Sequence, residues 1–325
     1  MKKSKLGNSD LQITKVGLGT WAIGGPWEFG WGPQDDKDSI DAIIEALDVG
    51  VNWIDTAPIY GFGHSETIVA QALKKTSIKP IIATKCGLTW GEKKERTPCL
   101  KAKSVLAECD ASLKRLNVDV IDLYQMHWNN PPEDIEEGYD AMARCVKAGK
   151  VRYLGVSNFT VEQMQMVMKI HPLVSLQPPY SMFRRDIEND ILPFCKKNNI
   201  GVIVYSPLQK GMLSGKFTAE KIAALPADDV RHMDPNYKSP RLEINLKAID
   251  ALTQIAKQNK ITMAQLATAW VIRNPEVTAA IAGARRKGQI KETSPAADIT
   301  LSKNDIAEIE EILKSRNDNL NNDYF

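Results

Sequence analysis

Short apolar runs alternate along the chain with longer stretches whose apolar residues recur at helical spacing. The apolar runs predict eight strands: ITKVGLGT, NWIDTA, PIIATK, VDVIDLYQMH, VRYLGVSN, LVSLQ, IGVIVYSP and TAAIAG. The predicted helices between them are DSIDAIIEALDVG, SETIVAQALKK, SVLAECDASLKRL, IEEGYDAMARCVKAGK, VEQMQMVMKIH, IENDILPFCKKNN and one long helical region from about Leu242 to Arg273. The strands are continuous apolar runs rather than alternating ones, which is typical of parallel strands buried on both faces.

About eight such units in 325 residues predict an α/β protein with a (β/α)8 TIM barrel, formed as a single domain over residues 1–325. A doubly wound sheet is the alternative, because it too is built from repeated strand and helix units. The segment KLGNSDLQI ahead of the first unit predicts an N-terminal β-hairpin, and the residues after the eighth strand predict an extra C-terminal helix. The long, aperiodic segment from Pro207 to Arg241 has the length of a lid.

Composition narrows the possible partners and location. Lys and Arg together number 42 and Asp and Glu 40, so the net charge of +2 gives no support for a nucleic-acid or membrane partner. The N-terminus begins with lysines but lacks the continuous apolar segment of a signal peptide, and no later run approaches a membrane span. We expect a cytoplasmic protein, either a monomer or a weak homo-oligomer.

The cysteines and histidines predict neither disulfides nor a metal site. The five cysteines are widely scattered and never form a C-x-x-C pair, and the four histidines are equally dispersed. Cys86 directly follows Lys85, but no histidine lies near Cys86 in sequence, which argues against a nucleophilic role for this cysteine.

Two glycine-rich motifs resemble nucleotide-binding loops but fail in their context. GLGTWA, from Gly17 to Ala22, fits the G-x-G-x-x-G/A pattern, yet the following IGGPW cannot open a helix, and no second strand ends in an acidic residue about 20 positions on. This disfavours a Rossmann fold. GMLSGK, from Gly211 to Lys216, is one residue shorter than a P-loop, and Phe217 replaces the Ser or Thr that would bind magnesium. This segment is either a phosphate-binding loop of another kind or a simple tight turn.

Polar residues end three of the predicted strands. Asp55 ends the second strand, Lys85 the third and His127 the fourth, and Tyr60 lies in the loop after Asp55. In a barrel the carboxyl ends of neighbouring strands face one another across the mouth, where active sites of this fold lie. Each residue alone has a structural explanation, as a cap, a solvated strand end, an edge histidine or a packing tyrosine. Together they predict an acid–base site in which Asp55 pairs with Lys85 and both act on Tyr60, because a buried carboxylate is costly unless it is paired.

The lysine should also change the acidity of the tyrosine. A cation about 4 Å from the phenol contributes about 4 kcal/mol at an effective dielectric near 20, which lowers its pKa by up to about three units. We therefore expect the Tyr60 pKa to fall from about 10 toward neutrality. His127 would hold a substrate oxygen. Such a site suits protonation of the alkoxide that develops when a hydride is delivered to a carbonyl.

These residues and their surroundings resemble the aldo-keto reductase family along nearly the whole chain. The likeness is greatest to the bacterial branch related to general stress and inositol-locus reductases and to the potassium-channel beta subunits. Its landmarks are GLGTW, IDTAPIYGFGHSE, GVSNF, Gln177 and VYSPLQKGMLSGKF. The resemblance implies a (β/α)8 barrel with a leading hairpin, NAD(P)H bound without a Rossmann fold, and a catalytic tetrad of Asp55, Tyr60, Lys85 and His127.

The resemblance also assigns residues to the cofactor. Ser157, Asn158 and Gln177 would hold the nicotinamide carboxamide, and Tyr205 would stack beneath the ring. The other assigned positions run from the substrate side through the pyrophosphate to the adenine end: Gly19, Thr20, Trp21, Asp55, Ser206, Leu208, Gly211, Lys216, Gly283, Ala284, Arg285, Gln289 and Glu292.

Three cations follow the eighth strand, where the resemblance places the ribose 2′-phosphate: Arg285, Arg286 and Lys287. Arginine binds phosphate bidentately, so we expect NADPH as the cofactor. The alternative is that these three cations are solvent-exposed residues at the start of the next helix. The chain departs from the family pattern at Ala70, where glycine is usual, and at Gly283-Ala284, where other branches have Lys-Ser. The second departure leaves the 2′-phosphate ligands open.

The expected function is therefore an NADPH-dependent oxidoreductase that reduces aldehydes or ketones, or oxidises the corresponding alcohols or sugars, with Tyr60 as general acid. One alternative is a nucleotide-binding redox sensor or scaffold resembling the channel beta subunits, with slow turnover. Another is a barrel isomerase or aldolase that forms a Schiff base on Lys85. The partner is a small carbonyl substrate of unspecified identity, and five tryptophans could shape an aromatic pocket for it: Trp21, Trp27, Trp31, Trp90 and Trp128.

Overall fold

Eight parallel strands close into a barrel in the order in which they follow along the chain. The computed structural model describes residues 1–27, 29–226 and 229–322. The barrel strands are β3 (Val16–Gly19), β4 (Trp53–Asp55), β5 (Ile81–Cys86), β8 (Ile121–Met126), β9 (Val151–Ser157), β10 (Ser175–Gln177), β11 (Gly201–Val204) and β12 (Ala279–Gly283). The last strand, β12, pairs in parallel with the first, β3, and this closure confirms the (β/α)8 barrel and rules out an open doubly wound sheet.

Helices surround the barrel and two small hairpins lie outside it. The hairpins pair β1 (Lys3–Lys5) with β2 (Gln12–Thr14) and β6 (Leu88–Trp90) with β7 (Arg96–Pro98). The helices are α1 (Asp36–Asp48), α2 (His64–Leu73), α3 (Ala102–Leu116), α4 (Ile135–Lys147), α5 (Val161–Val167), α6 (Ile191–Lys197), α7 (Ala219–Ala223), α8 (Arg241–Gln258), α9 (Met263–Ile272), α10 (Gln289–Thr293) and α11 (Lys303–Asn322). The predicted N-terminal hairpin and the extra C-terminal helix are both present.

The long helical region predicted from Leu242 to Arg273 is two helices, α8 and α9, rather than one. Lys260 has a positive φ of 54°, which interrupts the helix. Thr262 then opens α9 with a capping box, because its hydroxyl accepts from the Gln265 backbone N–H while the Gln265 side chain accepts from the Thr262 N–H. The apolar periodicity continues across the break, which is why the sequence pattern alone did not show it.

The N-terminal hairpin closes the barrel at the amino ends of its strands. Leu6, Leu11 and Ile13 of this hairpin are buried in one cluster with the barrel-interior residue Trp53. The Trp53 indole N–H donates to the Thr14 carbonyl at 2.9 Å, and its ring lies so close to Gly17 that a β-carbon there would approach it to 2.0 Å. The first predicted strand, ITKVGLGT, is divided at Lys15 between β2 and β3. With the amino end covered, the carboxyl end is the one left for a site.

The helices pack their apolar faces onto the outside of the barrel. In α4, Ile135, Tyr139 and Met142 follow helical spacing and are buried in the largest core cluster. Within the described residues, none of the helices is both long and apolar enough to cross a membrane.

Candidate active site

A cavity of about 820 Å³ opens at the carboxyl ends of the barrel strands. Asp55, Tyr60 and His127 line it, together with residues of the β6–β7 hairpin and of the long segment 207–241. This is the end of the barrel where the fold places its active sites. Segment 207–241, whose residues 227 and 228 lie outside the described ranges, contributes nine lining residues: Pro207, Leu208, Lys210, Gly211, Ser214, Lys216, Phe217, Val230 and Arg231.

The Asp55 carboxylate is buried at the end of β4 and accepts hydrogen bonds from three side chains. Its Oδ1 accepts from Lys85 Nζ at 2.7 Å, and its Oδ2 accepts from Gln177 Nε2 at 2.8 Å and from Gln125 Nε2 at 3.3 Å. The Asp55 backbone carbonyl accepts from the Thr20 hydroxyl at 3.1 Å. These donors offset the cost of removing the carboxylate from water, so Asp55 is held in one orientation.

The Lys85 ammonium is fully buried and uses all three of its donors. Besides Asp55, it donates to the Thr56 carbonyl at 2.9 Å and to the Tyr60 hydroxyl at 3.2 Å. Burial lowers the Lys85 pKa from its usual value, while the negative charge of Asp55 opposes that shift. Lys85 Nζ does not reach the cavity surface, and this enclosure argues against a Schiff base on this residue.

The Tyr60 hydroxyl stays protonated, contrary to the expectation from the sequence. Burial raises the pKa of Tyr60 well above its usual value, and the negative charge of Asp55 raises it further. The expected fall toward neutrality is therefore wrong in direction. The Lys85 cation alone would lower the Tyr60 pKa. In the structure Asp55 lies against that cation, and the phenol is removed from water. A protonated phenol is the form that a general acid needs.

His127 directly follows β8, and its ring packs edge-on against Tyr60 with 5.7 Å between ring centroids. Its backbone N–H donates to the Cys86 carbonyl at 3.0 Å. Burial lowers the His127 pKa well below its usual value, and the positive charges of Lys85 and Arg96 add to this effect. The imidazole is therefore neutral at physiological pH and carries one N–H that can donate to a substrate oxygen.

The four residues assigned to the nicotinamide end lie together in one hydrogen-bonded group. The Tyr205 hydroxyl donates to Asn158 Oδ1 at 2.9 Å, Asn158 Nδ2 donates to the Ser157 hydroxyl at 3.0 Å, and that hydroxyl donates to the Gln177 carbonyl at 2.8 Å. All four line the cavity. The Gln177 amide nitrogen is engaged by Asp55 and by Gln125 Oε1, so the Gln177 side chain is positioned before any ligand binds.

The cations after β12 separate into two groups. Arg285 and Arg286 line the cavity, whereas Lys287 does not and instead forms an ion pair with Asp41 at 3.4 Å. The Arg285 Nε donates to Gln34 Oε1 at 2.7 Å, and Nη2 donates to the Pro33 carbonyl at 2.9 Å. Arg285 is thus fixed in orientation by the loop that precedes α1.

Most of the assigned cofactor positions line the same cavity, and two do not. Gly19, Trp21, Ser206, Leu208, Gly211, Lys216, Gly283, Gln289 and Glu292 line it. Thr20 and Ala284 are buried behind it: Thr20 bonds to the Asp55 carbonyl, and Ala284 packs in a core cluster with Ile290. Neither side chain is placed to contact a bound cofactor directly.

Four of the five tryptophans proposed for the pocket line the cavity, and one does not. Trp21, Trp27, Trp31 and Trp128 line the cavity, whereas Trp90 packs against Phe62 with 5.8 Å between ring centroids.

Sequence reasoning missed several residues of this site. Gln125 interrupts an apolar strand with a buried amide, and that polar interruption was a usable signal. Arg231 had no such signal. Its guanidinium lies 4.9 Å from the ring centroids of both Trp31 and Phe217 and forms two hydrogen bonds to Asp229, so it joins segment 207–241 to the loop before α1 across the cavity.

Comparison with known proteins gives consistent matches over nearly the whole chain. The Aldo/keto reductase family matches residues 15–314. The aldo-keto reductase YhdN of Bacillus subtilis (strain 168) is 39% identical over 318 residues, which cover 97% of this chain and 94% of that protein. The NADH-specific methylglyoxal reductase of Escherichia coli (strain K12) is 35% identical over 334 residues, covering 97% of this chain and 99% of that protein. Among solved structures, the glycerol dehydrogenase of Gluconobacter oxydans superposes with a TM-score of 0.89 at 37% identity, covering 97% of this chain and 96% of that one.

Proposed function

Because the chain belongs to the aldo-keto reductase family of nicotinamide-dependent oxidoreductases, we propose that it reduces an aldehyde or ketone with NADPH, using Tyr60 as general acid. The observation that carries the proposal is the Tyr60 hydroxyl at the cavity wall, 3.2 Å from the buried Lys85 ammonium and beside the His127 ring. We also propose that residues 1–325 form one domain, since the barrel takes its strands from β3 through β12.

The residues present fit a nicotinamide dinucleotide. The cavity lining includes the amides and hydroxyls of Ser157, Asn158 and Gln177, and it also includes the guanidinium groups of Arg285 and Arg286. When bound, the cofactor supplies the hydride. Hydrogen-bonding groups suit the carboxamide, and guanidinium groups suit phosphate.

The protein's part in the reaction is to move and stabilise one proton. Tyr60 donates its hydroxyl proton to the carbonyl oxygen as negative charge develops there. Lys85 then stabilises the tyrosinate through the hydrogen bond that it already makes to the phenol oxygen, and Asp55 keeps the ammonium aimed at that oxygen. The neutral His127 donates its ring N–H to the same substrate oxygen, which orients the carbonyl toward Tyr60.

The preference for NADPH rests on Arg285 and Arg286. Both line the cavity just after β12, and a guanidinium offers paired donors for the oxygens of a 2′-phosphate. Asp35 and Asp38 line the same cavity and support the competing preference for NADH, because a carboxylate can accept from a ribose 2′-hydroxyl and repels a phosphate. The relative from E. coli is named as NADH-specific, and the affinities for NADPH and NADH discriminate between the two preferences.

The test is oxidation of NADPH and NADH in the presence of a carbonyl panel, for the wild type and for Tyr60→Phe. We expect Tyr60→Phe to lose at least about 100-fold in kcat/KM while its cofactor Kd, measured by tryptophan quenching, stays within about twofold. Tyr139→Phe is the matched control, because Tyr139 is also buried but is not among the residues that line the cavity, and its hydroxyl makes one long bond to the Pro172 carbonyl at 3.4 Å. Undiminished turnover in Tyr60→Phe would remove the assignment.

A negligible rate over the whole panel, with NADPH retained through purification, would instead favour the redox-sensor alternative. The Arg231 contact that joins the two sides of the cavity is the feature that would slow cofactor release in that case.

A further inference from the structure

The β6–β7 hairpin carries a cation to the mouth of the cavity. The hairpin leaves β5 through Gly87, whose φ of +91° reverses the chain, and it pairs Trp90 with Arg96. Arg96 and Leu88 of this hairpin both line the cavity. The hairpin is therefore part of the site wall, although no sequence pattern had pointed to it.

A row of aromatic side chains connects Arg96 to Tyr60. Its guanidinium carbon is 4.8 Å from the Phe29 ring centroid, Phe29 packs edge-on against Trp27 at 5.6 Å, and Trp27 lies 6.3 Å from the Tyr60 ring. This aromatic wall leads from Arg96 to the proposed acid. The positive charge of Arg96 is also one of the causes of the lowered His127 pKa, after burial and Lys85.

The charge of Arg96 is available to a ligand. Three of the other cavity cations are neutralised by carboxylates: Arg231 by Asp229, Lys210 by Asp234 and Lys216 by Glu292. Over residues 1–27, 29–226 and 229–322, Arg96 forms no ion pair, and its contact is the face of an aromatic ring. Stacking of that kind leaves the edge of the guanidinium, with its paired N–H donors, open for a planar or tetrahedral anion.

We propose that Arg96 binds a negatively charged group, a carboxylate or a phosphate, carried by the carbonyl substrate. This inference rests on the proposed reductase function and deepens it by naming a substrate class. The enzyme then favours anionic aldehydes or ketones over neutral ones of the same shape. A charge-assisted, two-point hydrogen bond of this type corresponds to a preference of about 10-fold to 100-fold in kcat/KM.

The experiment compares two substrates that differ in charge and little else, 4-formylbenzoate and its methyl ester. We expect the wild type to favour the acid over the ester, and Arg96→Gln to reduce that ratio by about 10-fold or more. Arg96→Lys should keep an intermediate ratio, since it retains the charge but not the paired donors. The acid-to-ester ratio in the wild type should also fall as salt is raised from about 20 mM to about 500 mM, because exposed charges are screened.

Lys93→Gln is the matched control. It removes one positive charge from the same hairpin, but Lys93 is exposed and is not among the residues that line the cavity, so the ratio should stay at the wild-type value.

Three outcomes are decisive. Equal kcat/KM for acid and ester in the wild type overturns the Arg96 proposal and leaves the reductase function intact. A preference for the acid that persists in Arg96→Gln has the same meaning. A protein that reduces no carbonyl at all overturns the proposed function, and the Arg96 proposal with it.

Discussion

Lys85 Nζ lies 2.7 Å from Asp55 Oδ1, and the two side chains are 0% and 4% exposed. A buried ion pair of this kind contributes little net stability compared with apolar residues, but loss of one partner leaves the other charge buried and unpaired. The pair therefore behaves as a unit, and the hydrogen bond from Lys85 to Tyr60 depends on it.

Replacing Lys85 by methionine should destabilise the protein and abolish turnover. We expect the free energy of unfolding in urea to fall by about 3–5 kcal/mol, because Asp55 would keep a buried charge without its cation. The double variant Asp55→Asn with Lys85→Met should recover part of that loss, since no buried charge is left. Lys37→Met is the control, because Lys37 forms an exposed ion pair with Asp41 and its replacement should leave the stability nearly unchanged. A double variant less stable than Lys85→Met would contradict this account.

The pH dependence of carbonyl reduction follows from the raised pKa of Tyr60 and the lowered pKa of His127. Reduction requires the protonated phenol and the neutral imidazole, and both forms persist across the neutral range. We expect kcat/KM for reduction to show no alkaline decline due to Tyr60 below the ordinary tyrosine pKa of about 10. Oxidation of the alcohol requires the tyrosinate, so its rate should still be rising with pH over the same range.

Initial rates in both directions between about pH 6 and 10, with a stability check at each pH, provide the measurement. An alkaline decline of reduction centred near pH 7, absent from the oxidation profile, would show that the Lys85 cation outweighs burial after all.

The sequence was most informative where a polar residue interrupted or ended an apolar run. Asp55 and His127 stand at or directly after the ends of β4 and β8, and Lys85 lies one residue before the end of β5, so knowledge of strand order alone brings them to one rim. The direction of the Tyr60 pKa shift could not be predicted from strand order. It depends on how completely water is removed from the phenol and on where Asp55 sits, which only three-dimensional packing determines.

Contacts between distant segments were equally inaccessible from sequence. Arg231 meets Trp31 and Phe217 only because segment 207–241 folds toward the loop before α1, and neither spacing nor periodicity encodes that meeting. The same holds for Arg285, whose side chain is fixed by Gln34 from the other end of the chain.

Arg285→Ala should test the cofactor preference. Removing a guanidinium that binds the 2′-phosphate should weaken NADPH binding by about 10-fold or more and leave the Kd for NADH nearly unchanged. Lys287→Ala is the control, because it removes the same charge from a neighbouring position that pairs with Asp41 outside the cavity lining. Equal losses of affinity for NADPH and NADH would mean that Arg285 stabilises the loop through Gln34 and Pro33 and does not bind the 2′-phosphate.

Glu108 should make the stability of the protein depend on pH. Its carboxylate accepts from the Gly87 backbone N–H at 3.0 Å, at the start of the hairpin that carries Arg96, and burial raises the pKa of Glu108 to about 7. A carboxyl group that holds its proton more tightly when folded contributes stability below the unfolded pKa of about 4.5, and that contribution is lost as pH rises to about 7. Glu108→Gln removes this loss, so the variant should be more stable than the wild type by about 2–3 kcal/mol at pH 8 and nearly equal to it at pH 4.5.

Glu137→Gln is the control of opposite sign for Glu108→Gln. The Glu137 pKa is lowered, first by a hydrogen bond from the Ala102 backbone N–H and then by one from Lys101. The ionised form of Glu137 therefore favours the folded state above the unfolded pKa, and its replacement should reduce stability at pH 8 rather than increase it. Urea titrations of the wild type and both variants at pH 4.5, 6 and 8 measure the two effects together. If Glu108→Gln differed from the wild type by the same amount at every pH, the Glu108 carboxyl group would not be titrating in this window, and the prediction would be wrong.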